Sequence, residues 1–66
     1  MTEDYARLLR ERRIHLGLSR SNLARKAQVA EGVIHRIEKQ NRFPSDEALK
    51  RICAALDLEP PKDERS

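Results

Sequence analysis

At 66 residues the chain is expected to be one small domain with limited buried surface and modest stability. One Tyr, one Phe and no Trp exclude an aromatic stacking platform for single-stranded nucleic acid. No apolar run approaches the ~20 residues that span a membrane, the acidic start Met1-Thr-Glu-Asp does not read as a signal peptide, and one cysteine excludes an internal disulfide and fits a reducing cytoplasm.

A first helix is expected from about Glu3 to His15 or Leu16. Thr2 can cap it, and Glu3 and Asp4 suit its positive N-terminal end. Tyr5, Leu8, Leu9, Arg12 or Arg13, and Leu16 recur at helical spacing as its inner face. Gly17 ends it, because glycine accepts the left-handed conformation without steric cost. Ser19 then caps a second helix, about Arg20 to Ala27. After the turn Gln28-Val29-Ala30 comes a third helix, about Glu31 to Lys39 or Gln40. The loop Asn41-Arg42-Phe43-Pro44 leads to a fourth, capped by Ser45, with Asp46 and Glu47 in its first turn. Its buried stripe is expected to hold Ala48, Leu49, Ile52, Cys53 and Leu56. Pro60 and Pro61 stop regular helix. Residues 1–59 therefore read as one folded domain and 60–66 as a flexible tail. No internal repeat and no strand pattern is visible.

The run from Arg20 to Ile37 is the most informative. Leu23, Ala24 and Ala27 make one face of the second helix, and Ala24 is small enough for a close helix crossing. Val29 plugs the turn. Ile34 and Ile37, with Val33, make the inner face of the third helix, leaving Glu31, Gly32, His35, Arg36 and Lys39 outside. A buried face opposite an exposed, mostly basic one is the arrangement of a helix-turn-helix that lays its second helix in the DNA major groove. An ordinary helical hairpin with a small crossing residue would share part of this pattern. Charge adds to it. Of the net +3, residues 19–42 hold six basic groups against two acidic ones, whereas residues 43–66 hold four against six. Phosphate attraction would act where the motif lies, although solvated patches of this size are common on small domains.

The chain resembles the phage-repressor/Cro-type helix-turn-helix family, also called the XRE family. The resemblance rests on Leu9 and Arg13, Gly17-Leu18-Ser19, Leu23-Ala24, Val29, Ile34, Ile37-Glu38, Arg42-x-Pro44-Ser45, Leu49, Ile52 and Ala55-Leu56, in order over roughly residues 5 to 58. It implies an all-α, compact, lambda-repressor-like bundle of four to five helices. It also implies roles. Arg13 would pair with Glu38 and fix the third helix against the first. Arg20, with the free N–H groups opening the second helix, would meet a DNA phosphate. Lys39, Asn41 and Arg42 would meet another. Glu31, Gly32 and Arg36 would read bases, with Ala30 at the rim. Arg36 is the residue for a bidentate guanine contact, and Glu31 could accept from cytosine N4 or simply favour the helix N-terminus.

The chain departs from the family at four positions. Gln28 stands where the turn usually has glycine, so the turn must strain or change geometry. Ala30 stands where Ser or Thr usually caps the recognition helix, a change that typically costs ~0.5–2 kcal/mol. Gly32 lies one turn in and costs ~1 kcal/mol relative to alanine. These last two predict a recognition helix frayed at its N-terminal end without DNA. Gly32 would also permit close approach to a base edge. Gln40 replaces a common helix-ending glycine, which assigns the left-handed conformation to Asn41.

His15, His35 and Cys53 lack metal-ligand spacing, and neither a phosphate-cradling glycine loop nor a nucleophile constellation is visible. The sequence thus predicts no enzyme, no metal and no cofactor. It predicts a sequence-specific regulator of transcription that binds double-stranded DNA. This would be a cytoplasmic, nucleoid-associated repressor or small controller, acting as a homodimer on a pseudo-palindrome. The length leaves no room for a ligand-sensing domain, so control would come from concentration or a protein partner. A dimer would use the Leu56–Pro61 edge or the loop around Phe43; alternatively, the protein would be monomeric in solution and pair only on DNA. Two other readings remain open: a protein-interaction module of antitoxin-like or adaptor type, and a nonspecific architectural DNA binder.

Overall fold

Three basic residues, Arg12, Arg13 and His15, gather in the last turn of the first helical segment, where they oppose the negative end of a helix dipole. In the computed structural model this segment is α1, Thr2–His15. The structure describes residues 2–59, with side chains from Tyr5 onward. The expected tail, 60–66, lies outside the described residues. Thr2 is already helical, so α1 starts earlier than the expected boundary at Glu3, and Thr2 is not the residue before the helix. The helix closes at Gly17, φ 74°. There the Gly17 N–H reaches the Ile14 carbonyl at 2.9 Å and the Leu18 N–H reaches that of Arg13 at 3.0 Å. A Cβ at Gly17 would meet nothing within 4 Å, so backbone conformation alone favours glycine there.

The second helix, α2, is Arg20–Ala27, and Ser19 Oγ accepts the Asn22 N–H at 2.9 Å. Gln28 ends it at φ 61°, ψ 44°, keeping the left-handed geometry that glycine would adopt more cheaply. The Val29 N–H closes this turn on the Ala24 carbonyl at 2.9 Å. The third helix, α3, is Glu31–Gln40. Asn41 ends it at φ 58°, ψ 34°, as the sequence predicts. The fourth, α4, is Asp46–Ala55, with Ser45 Oγ accepting the Ala48 N–H at 3.3 Å and Asp46 and Glu47 in the first turn. The described residues contain these four helices and no strand, and none of the helices is long and apolar enough to cross a membrane.

α2 packs against both α3 and α4, and α1 packs against α3. The core joins Ala6 and Leu9 of α1, Leu23, Ala24 and Ala27 of α2, Ile34 and Ile37 of α3, and Leu49, Ile52, Cys53 and Ala55 of α4, with Leu56. Leu23, Ile34, Ile37, Ile52 and Leu56 are almost wholly enclosed, and each such side chain contributes ~1.5–3 kcal/mol over leaving it in water.

Two expectations about packing change. Leu8 is 48% exposed, and Ala6 enters the core from α1 instead. Leu8 lies beyond the edge of the apolar stripe, whose centre falls between Ala6 and Leu9. On α4, Ala48 is only half-buried while Ala55 is buried. Leu56 belongs to the core, as the stripe on the fourth helix predicts, so its own side chain is not part of any dimer edge there.

α1 is also tied to the far end of α4. Arg12 Nε donates to the Leu56 carbonyl at 2.9 Å, satisfying an acceptor that the helix end leaves open. The Tyr5 hydroxyl and the Cys53 thiol share a hydrogen bond at 3.1 Å. Burial and this bond push the Tyr5 phenol above its ordinary value. The Tyr5 ring lies 5.7 Å from that of Phe43, so the loop before α4 is anchored on α1.

Candidate nucleic-acid interface

Burying Ile34 and Ile37 fixes the rotation of α3, because residues three apart share one face of a helix. Glu31, Gly32, His35, Arg36 and Lys39 are all exposed on the other side. Beyond the helix's own backbone, a Cβ built at Gly32 would meet only Arg36 Nη2, at 3.9 Å, so nothing from the rest of the domain crowds that position. His35 sits among these residues, between Gly32 and Lys39 on the helix surface, where the sequence puts it facing phosphate or solvent. Its position follows from the period of α3 alone.

The two acidic residues of α3 have different fates. Glu31 is exposed in the first turn, at the positive end of the helix dipole. Glu38 is turned inward, with its side chain 2% exposed. Its Oε2 accepts Arg13 Nε at 2.7 Å and its Oε1 accepts Arg13 Nη2 at 3.2 Å, a two-pronged charge-assisted pair. Arg13 Nη1 donates to the Leu18 carbonyl at 2.7 Å, so one guanidinium joins α1, the turn before α2, and α3. No described buried side-chain nitrogen or oxygen is left without a partner. The joint therefore meets the condition under which a buried charge is tolerated.

Arg20 also approaches this carboxylate. Its Nη1 lies 4.0 Å from Glu38 Oε1, while its side chain remains 38% exposed. The contact is long, and the residue is 18 positions away in sequence on a helix with its own period, so no local pattern signals it. Two guanidiniums thus face one carboxylate, leaving net positive charge at the N-terminus of α2. That end also carries the unpaired backbone N–H groups of a helix start.

At the other end of α3, the Arg42 N–H bonds the Arg36 carbonyl at 3.0 Å, and so does that of Asn41. Asn41 and Arg42 are exposed just past the helix. The sequence-derived residues therefore fall into three places: Arg20 at the start of α2, Glu31, Gly32, Arg36 and Lys39 along α3, and Asn41 and Arg42 beyond its end.

Two short helices joined by a tight turn, the second presenting a polar face fixed by a buried joint, define a helix-turn-helix DNA-binding domain. The profile of a family described as a helix-turn-helix domain matches residues 4–66, and the chain belongs to that family. This agrees with the Cro-type resemblance of the sequence. Neither the curated proteins nor the solved structures contain a match to the chain.

Proposed function

We propose that the protein is a sequence-specific transcriptional regulator, a repressor or small controller that binds a pseudo-palindromic operator as a homodimer in the cytoplasm. Residues 1–59 are its DNA-binding domain. The observation that carries the reading is the exposed face of α3, where Glu31, Gly32 and Arg36 stand over the buried Ile34 and Ile37. In this reading α3 enters the major groove, Arg36 makes a bidentate contact to guanine, and Glu31 accepts from a cytosine amine. Arg20 takes one phosphate, and Lys39, Asn41 and Arg42 take others. Regulation is steric: an occupied operator blocks polymerase or, placed upstream, recruits it.

Selection from a random duplex pool tests this. The reading expects a dyad-symmetric winner with half-site centres about one helical turn apart, bound far more tightly than bulk DNA. Equal, steeply salt-dependent affinity for every duplex would instead identify an architectural binder. Absence of duplex binding would identify a protein-interaction module.

A further inference from the structure

The basic surface does not stop at α3. Between α1 and the C-terminal end of α3 lies an open groove of about 360 Å³. Arg7 and Arg10 border it from α1, one turn apart, and Lys39 and Asn41 border it from α3 and its end. Ile37 lies at its base. Arg7, Arg10 and Lys39 are exposed, and no ion pair ties any of the three down among the described residues. The acid that lines the groove, Glu38, already accepts Nε and Nη2 of Arg13 and faces Arg20. Its charge is therefore compensated from behind, and among the described residues the groove presents positive charge outward.

We infer that this groove is a DNA-backbone site that carries the phosphate contacts of α3 onto α1, with Arg7 and Arg10 as additional phosphate ligands. The inference rests on the proposed DNA-binding function and extends it to residues with no assigned part in it. Two observations select the backbone as the occupant. The groove is lined by Lys39 and Asn41, the residues to which the proposed function gives phosphate contacts. Three of its lining residues are the exposed cations Arg7, Arg10 and Lys39, long side chains that suit a line of phosphates better than the fixed donor–acceptor pattern of a base edge. Arg7 and Arg10 thus supply affinity and register, without sequence preference.

The test uses the full chain with the selected operator duplex and a random-sequence duplex, each titrated over a range of salt. Arg7→Gln and Arg10→Gln are expected to weaken both duplexes by similar factors. Each should lower the slope of log affinity against log salt by about 0.9 per bound subunit, hence about 1.8 for a dimer on the operator. Lys50→Gln removes the same charge from an exposed position on α4 and should leave that slope nearly intact. Because Arg7 and Arg10 are exposed and outside the core, circular dichroism of the variants should match the wild type. An unchanged slope in Arg7→Gln and Arg10→Gln, with the wild type binding normally, overturns the groove and leaves the DNA reading standing. Equal losses in Lys50→Gln also overturn it, since bulk charge would then explain the effect. Saturable binding of inorganic phosphate at these arginines without any effect on duplex affinity overturns it in favour of a small-anion site. Failure of the wild type to bind any duplex removes both the function and the inference.

Discussion

The two ends of α3 are built differently. Its C-terminal half is fastened by Glu38, held by Arg13 at 2.7 and 3.2 Å, and by Asn41, whose left-handed backbone returns two N–H groups to the Arg36 carbonyl. Its N-terminal end starts at Ala30, which makes no side-chain cap hydrogen bond, and has Gly32 in the first turn. The other described helix starts show what is missing: Ser19 caps α2 and Ser45 caps α4 through their hydroxyls. One end of the recognition helix is thus fixed to the domain, while the end that would reach deepest toward the bases has weak local support. An element anchored at one end can set its docking angle and still let its reading end adjust to a base edge.

Breaking the fastened end should have the largest effect. Glu38→Ala leaves the Arg13 guanidinium, only 12% exposed, facing a cavity without its carboxylate, and is expected to cost about 3–5 kcal/mol in urea unfolding. For a domain this small that is a large fraction of the total stability. Arg20→Ala removes a contact of 4.0 Å from a side chain more than a third exposed, and should cost under ~1 kcal/mol. Equal costs for the two variants would mean that the Arg13–Glu38 joint does not fix α3.

Repairing the loose end should have a smaller effect of opposite sign. Ala30→Ser supplies the missing cap and is expected to add ~1 kcal/mol. Gly32→Ala should add a similar ~1 kcal/mol, because the new methyl meets only the end of a flexible arginine. Hydrogen exchange of the Glu31 to Val33 amides should slow in both variants relative to a fast-exchanging wild type. Full protection of these amides in the wild type would show that the first turn is already firm. Gly32→Ala should also weaken operator binding if the bare backbone is what approaches a base.

The turn outside α3 gives the smallest change. Gln28→Gly relieves a left-handed residue at φ 61°, whose strain is ~1–2 kcal/mol, but gives the unfolded chain more freedom. The net gain should be under ~1 kcal/mol by urea unfolding, with no change in exchange at Glu31 to Val33. Slowed exchange there would mean that the turn, and not the missing cap, governs the loose end.

Much of the fold was legible because its signals are local. Ser19 and Ser45 sit one residue before runs of helical period, Gly17 directly follows the last residue of such a run, and Asn41 is the residue after Gln40 best able to turn left-handed. The exposed set on α3 follows from the same period once Ile34 and Ile37 are placed inside. The errors lie where period alone does not fix the phase. On α1, Leu8 and Ala6 flank the stripe, and hydrophobicity favours Leu8 although geometry buries Ala6. On α4, the short, weakly discriminating side chains of Ala48 and Ala55 exchange places in the stripe. Arg12 on the Leu56 carbonyl, Arg20 near Glu38, and Arg7 and Arg10 beside Lys39 are products of tertiary assembly. They depend on how the helices cross, which no spacing within one helix records.

The most direct measurement is the affinity of Arg36→Ala for the selected operator and for a series of single-base variants of it. If α3 reads base pairs through its exposed face, the substitution costs ~1–3 kcal/mol per half-site of the operator and erases the preference at one base pair in each half-site, with the salt dependence little changed. An intact preference at every position, or a loss equal on all duplexes and accompanied by a lower salt slope, would contradict base reading by Arg36 and with it the central account of α3.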